Sequence, residues 1–278
     1  MNIKALMHKK KLLHTLRTSG PYLVMFCVPL LALFFVFFRS DIARWLWNIG
    51  PYERTVLFIS PDDPELLVLV GSYHFSSASY DIKRATELFL DAIAQDERAP
   101  YAHYQLARIY FIGSQFALAR TEINKEMSYN PKNPRNYYMS GLIAGYAKDY
   151  DLAIAHFTKF TELVPMSWAG HNDLAWVYFA KGDYANVKRV AERGLAADPN
   201  NPWLMNSLGL ALMNMGDKEG AKAQFERALR YMKHKTPEAW GRSYPGNDPG
   251  IYKEGLNASV SSIEANLKLV SGTTSRAR

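Results

Sequence analysis

The groups best suited to covalent or metal chemistry in this chain of 278 residues are seven histidines, one cysteine and 26 carboxylates, and their spacing argues against such chemistry. His74, His103, His156 and His171 fall in separate helical stretches, and Cys27 stands alone in an apolar run. No Cys/His set therefore has metal-ligand spacing. There is no glycine-rich phosphate loop after a strand and no nucleophile elbow. His103, Asp173 and Ser207 have the types of a catalytic triad, but any seven histidines supply such a set on paper. The sequon Asn257-Ala258-Ser259 falls on a helical stretch and reads as accidental. The expectation is a protein without catalytic residues, cofactor or metal. What remains is recognition by aromatic, Arg, Met and Asn side chains, and the question becomes which elements present them.

A step of 34 residues brings five segments into register: 66–99, 100–133, 134–167, 168–201 and 202–235. The eighth position reads Tyr73, Ala107, Gly141, Ala175, Gly209, mostly small, which allows two helices to approach closely. The twentieth reads Ala85, Ala119, Ala153, Val187, Ala221, the matching contact on a second helix. The twenty-fourth reads Phe89, Ile123, Phe157, Ala191, Phe225, mostly bulky core groups. The thirty-second reads Glu97, Pro131, Pro165, Pro199, Lys233, and proline there stops a helix. Asp63-Pro64-Glu65 reads as an N-cap followed by a first-turn proline and an early acid, and Asp248-Pro249 repeats the device. After it, Tyr252, Leu256, Val260, Ile263, Leu267 and Val270 form one apolar stripe, predicting a capping helix over 251–270. Residues 271–278 read as a disordered tail.

This pattern resembles the tetratricopeptide repeat (TPR) family, whose unit is a helix–turn–helix of 34 residues. The residues that carry the resemblance best are Leu174-Ala175, Tyr178, Gly182-Asp183-Tyr184 and Asp198-Pro199-Asn200-Asn201, then Leu208-Gly209, Gly216-Asp217, Ala221, Phe225 and Ala228. Departures are Ser72-Tyr73 for the usual Leu-Gly, Glu126 for alanine and Ser140 for leucine. The resemblance implies an all-α superhelix over 64–235 whose first helices line a concave face. By that likeness the candidate protein-binding residues are Tyr104, Arg108, Phe111, Arg135, Tyr138, Asn172, Trp176, Phe179, Trp203, Asn206 and Met213. Asn172 and Asn206 hold equivalent positions and suit serial contacts to a peptide backbone; the alternative is that part of this set packs between neighbouring first helices. Some family members clamp a C-terminal carboxylate with Lys and Asn. Leu66 to Ser76 contains no Lys or Arg, which argues against that use.

Five of the 33 basic residues (Lys4, Lys9, Lys10, Lys11, Arg17) precede residue 39 while all 26 acids follow it, so the repeats are near neutral. That argues against a nucleic-acid partner. Residues 21–38 (PYLVMFCVPLLALFFVFF) are uncharged and, as a helix, about 27 Å long, close to a hydrocarbon core. They read as an uncleaved transmembrane helix, with Cys27 a small hydrophobe and Phe37-Phe38 too bulky for signal cleavage. Five basic residues before the span, against Arg39, Arg44 and Arg54 after it, predict residues 1–20 as a cytoplasmic tail and the solenoid as extracytoplasmic, periplasmic or equivalent. Within 39–63, Ile42, Trp45, Leu46 and Ile49 predict a helix on the headgroup surface.

Segment 236–250 breaks the rhythm. Trp240, Arg242 and Tyr244 make it either a contact loop or a connector docking the cap. The expected function is a single-pass membrane scaffold or adaptor that binds a protein or peptide on its concave face, in envelope assembly, secretion or complex maturation. Reversed topology gives a cytosol-facing receptor or adaptor of the organelle-import or co-chaperone type. An enzyme with a site in 236–250 is the third reading. Self-association is left open.

Overall fold

The computed structural model describes residues 35–76, 78–241 and 252–272, together with 33 and 243. Among them are fourteen helices and no strand. They are α1 (35–49), α2 (Glu53–Ile59), α3 (Pro64–His74), α4 (Ile82–Gln95), α5 (Ala102–Ile112), α6 (Phe116–Tyr129), α7 (Pro134–Tyr146), α8 (Tyr150–Leu163), α9 (Trp168–Ala180), α10 (Tyr184–Ala197), α11 (Pro202–Asn214), α12 (Lys218–Met232), α13 (Pro237–Gly241) and α14 (Tyr252–Val270). From α3 to α12 each helix packs on the one before it, and α5, α7, α9 and α11 also touch in series. The core is a chain of overlapping apolar clusters from α1 to α14, as expected of a solenoid.

The second helices keep the step without a slip, starting at residues 82, 116, 150, 184 and 218. Each is entered through a turn whose penultimate residue is left-handed: Tyr80, Ser114, Lys148, Gly182 and Gly216. Only two of those five are glycine, the residue that adopts this conformation without steric cost. The next residue is the N-cap, and Asp81, Asp183 and Asp217 accept from backbone N–H groups of the first turn. Asn133, Ser167 and Asn201 cap first helices in the same way. Asp63 does so for α3, with Pro64 in the first turn as expected.

Small-against-large packing joins the helices of a pair. A Cβ at Gly141 would meet the Phe157 ring at 2.8 Å, and one at Gly209 would meet Phe225 at 2.6 Å. In the first pair the partner of Phe89 is Gly71, at 2.7 Å, and Tyr73 is only half-buried. The sequence register puts Tyr73 at that contact; α3 is displaced by two residues because its turn, 75–81, is longer than the three-residue turns that follow. Repeat junctions are tied by side chains reaching back to the carbonyl six residues earlier: His103 Nε2 to Glu97, Asn136 Nδ2 to Asn130 and His171 Nε2 to Pro165.

At the N-terminal end, α1 docks on the solenoid. Ala43 is fully buried, Leu46 and Trp47 pack on the first cluster, and Trp47 meets Tyr73 edge to face. Arg39 pairs with Asp62, and Arg44 with Glu65, Asp63 and Asp41. The expected stripe of Ile42, Trp45, Leu46 and Ile49 is thus divided: Leu46 faces the repeats, and Trp45 and Ile49 stay exposed. Phe35, Val36, Phe37 and Phe38 are exposed as well. The expected tail 1–20 and most of the expected span 21–38 lie outside the described residues, as do Asp248-Pro249 and residues 273–278. Among the described residues, no helix is long and apolar enough to cross a membrane.

At the other end, α14 packs on α12 and α11, with Ile263 buried in the last cluster. Within segment 236–250, expected as a contact loop or a connector docking the cap, residues 237–241 form α13. Trp240 is buried there; its Nε1 donates to Ser259 on α14, and a Cβ at Gly255 would collide with its ring. Tyr244 and the Arg242 side chain lie outside the described residues.

Candidate functional site

A cavity of about 460 Å³ opens where α5, α7, α9 and α11 converge, with the α13–α14 cap at its far end. Its aromatic wall is Phe111 from α5, Tyr138 and Tyr146 from α7, Trp176 and Phe179 from α9, Trp203 from α11 and Trp240 from α13. Leu142, Ala175, Val187 and Leu210 complete the apolar lining, and Asn172, Asp173, Asn206, Ser207 and Ser259 supply polar groups. The volume suits a few side chains of an extended segment.

Local packing aims these groups. Gly145 presents bare backbone to Trp176, whose Cζ3 would lie 2.6 Å from a Cβ there, so the indole rests on α7. Tyr146 meets Trp176 at 5.1 Å between ring centroids and Phe111 edge to face at 5.2 Å, which links three repeats. Trp203 stacks on Trp168 at 4.6 Å, and Lys235 Nζ lies 5.0 Å from the centre of its ring.

Seven of the eleven residues expected on the concave face line this cavity: Phe111, Tyr138, Asn172, Trp176, Phe179, Trp203 and Asn206. Tyr138 is nonetheless a core residue, packed on Phe157 and Phe160, with its hydroxyl donating to Asp173 Oδ2 at 2.5 Å. The amide groups of the two asparagines are engaged: Ser207 donates to Asn172 Oδ1, and Asn266 of α14 donates to Asn206 Oδ1. The other four do not line it. Tyr104 is buried between repeats, where burial pushes its phenol up. Arg108 lies over the Phe75 ring and donates to Gln105, Arg135 is exposed on the first turn of α7, and Met213 packs half-buried near the cap.

Asp173 is the residue whose role the spacing did not reveal. It is 8% exposed, and burial pushes its carboxyl up to about 7 although the Tyr138 and Asn172 hydrogen bonds oppose this. Burial, and then the charge of Asp173, raise the Tyr146 phenol. The available signal was compositional: Asp173 is the only acid in Trp168–Ala180, and equivalent positions hold Gln105, Met139 and Ser207. The paper triad is not assembled, because His103 lies in α5 against Glu122 and the Glu97 carbonyl while Asp173 and Ser207 line the cavity. Among the described residues, no cluster of three or more His, Cys, Asp or Glu is placed to hold a metal ion.

Stacked helix pairs around an aromatic groove define a class, the α-solenoid. Tetratricopeptide repeat models match residues 138–202 and 178–241, so that part of the chain carries these repeats. The BBSome complex member BBS4 of Bos taurus is 24% identical over 179 residues, which cover 64% of this chain and 34% of that protein. The chain thus spans about a third of the length of this curated relative. Among solved structures, MamA superposes with TM-score 0.54 at 17% identity over 61% of this chain and 92% of its own. YrrB, described as a TPR protein with an unusual peptide-binding site, gives 0.54 at 15% over 65% and 92%. A thermophilic TPR protein of Thermus thermophilus gives 0.53 at 16% over 73% and 99%. At these identities the likeness is one of fold.

Proposed function

We propose that the protein is a membrane-tethered scaffold whose groove holds an extended segment of a partner protein. The observation that carries this is the groove itself: four successive first helices contribute exposed or half-buried rings to one concavity. Aromatic side chains in such concavities are the usual anchors of protein interfaces. The peptide-binding site named for YrrB is consistent with this reading. Replacing Trp176 and Tyr146 with alanine weakens retention of segments selected by the wild type and leaves helicity intact. Equal retention sinks the groove. Tyr138 is unsuited to this test because its loss unpacks α7 from α8.

The tether is residues 21–38; within and just after it, Phe35, Val36, Phe37, Phe38 and Trp45 are exposed apolar side chains. The excess of basic residues before the span favours a cytoplasmic N-terminus and an extracytoplasmic solenoid, in envelope assembly, secretion or complex maturation. A tether confines the scaffold to two dimensions and raises its effective concentration at a partner in the same membrane. External protease on intact cells and on spheroplasts decides the orientation. Digestion of the repeats only after lysis of the inner membrane reverses it to a cytosol-facing adaptor.

A further inference from the structure

Among the described residues that line the groove, Asp173 is the only ionisable acid or base apart from the tyrosines. A carboxylate offers about four acceptor sites. Here one is filled by the short bond from Tyr138 and one by a long contact of 3.4 Å from Asn172. Among the described residues, no basic group pairs with it. The same cavity is lined by Tyr146, which is exposed, and by Phe111, Trp176 and Phe179, which are half-buried. The faces of such rings carry negative potential and attract cations. The chain uses that attraction itself, with Arg108 4.5 Å over Phe75 and, on one of the groove's own rings, Lys235 5.0 Å over Trp203. An acidic ligand would meet a buried acid and electron-rich rings and is disfavoured on both counts.

Resting on the reading above that the groove holds a polypeptide segment, we propose that it selects one carrying an arginine or lysine, whose charged head reaches Asp173 between the aromatic walls. Arginine fits better, because its planar guanidinium stacks on rings and bonds a carboxylate through two N–H groups. The ligand is thus opposite in charge to the acidic C-terminus that a Lys/Asn clamp would take. The groups shown to interact with Asp173 are neutral, Tyr138 and Tyr146 from α7 and Asn172 from α9, and so are the other described residues lining the cavity from α5, α10, α11, α13 and α14.

The test uses the full chain in dodecyl maltoside micelles on an immobilised array of random peptides. The expected result is enrichment of arginine or lysine at one position of the retained peptides. Changing that arginine to citrulline removes the charge and leaves the protein untouched; affinity falls about 10- to 100-fold, the range for a charged hydrogen bond. Asp173→Asn gives a similar loss for the arginine peptide and little further loss for the citrulline peptide, while Asp173→Glu restores part. Retention of peptides without a basic residue, or equal affinity for arginine and citrulline forms, overturns the pairing and leaves the groove as a peptide site. If the wild type retains no peptide, the groove reading and the pairing fall together.

Discussion

Asp173→Asn tests the electrostatics of the groove without any ligand. The carboxyl sits in an apolar wall, and its pKa rises from an ordinary 3.8 to about 7 because burial penalises the charged form. Folding therefore tightens the hold on the proton. With a raised folded-state pKa, the stabilisation is complete below about pH 4 and is lost as pH climbs to about 7. The gap corresponds to on the order of 4 kcal/mol. Asparagine has the shape of the protonated acid, and its carbonyl still accepts from Tyr138, so the two proteins should be close in stability at acid pH. Near neutrality the variant should be the more stable by several kcal/mol. Tyr146 is raised by burial, away from this window. His156 and His171, both lowered by burial, occur in both proteins and cancel in the difference. Repeat arrays do not always unfold in one step, so the assay is amide exchange of α7 to α9 in paired samples between about pH 4.5 and 7.5, corrected for intrinsic exchange. A difference that stays flat across that range, or a wild type more protected than the variant at the upper end, refutes the reasoning.

Gly209→Leu forces bulk onto Phe225, where even a Cβ would lie 2.6 Å from the ring, and should lower the thermal midpoint by an amount equivalent to about 1–3 kcal/mol. An unchanged midpoint refutes the α11–α12 packing. Lys148→Gly should raise stability by about 0.5–1 kcal/mol, because Lys148 holds the left-handed position that glycine fills at 182 and 216. A loss of stability in urea titration would count against that turn. Gly145→Val should lift Trp176 off α7 and red-shift tryptophan emission, with peptide retention falling alongside; unaltered emission contradicts the placement of the indole. Ala43→Glu puts a charge into the fully buried α1 contact and should release α1, read as faster proteolysis of 35–60 with the repeats still folded.

The repeats were legible because each unit solves the same packing problem at the same spacing. Ala85, Ala119, Ala153, Val187 and Ala221 are all buried, as are Phe89, Ile123, Phe157, Ala191 and Phe225. Register failed at α3, where a longer turn displaced the helix and no periodic argument sees a turn length that occurs once. The left-handed residues before each second helix were hidden for a different reason. Turn geometry belongs to the fold, and Tyr80, Ser114 and Lys148 adopt it without the glycine that would advertise it. The stripe on α1 misled because Leu46 serves the solenoid while Trp45 and Ile49 do not, a choice made by the position of α3 and not by α1 itself.

The groove was half legible, and the division has a physical basis. Family likeness places residues by helical phase, so it found the rings that face inward; it could not see that Tyr138 is consumed by the core or that Asn206 is held by α14. Asp173 was invisible to phase because no other repeat has an acid there. A buried acid without a cationic partner lowers stability at neutral pH, and asparagine would keep the Tyr138 bond without that cost. Local rules are broken most often where a site needs them broken. The same charge that weakens the solenoid as pH rises is the one that would draw a basic side chain into the groove. Stability and affinity should therefore respond to Asp173→Asn with opposite signs near neutral pH, which a packing role alone does not produce.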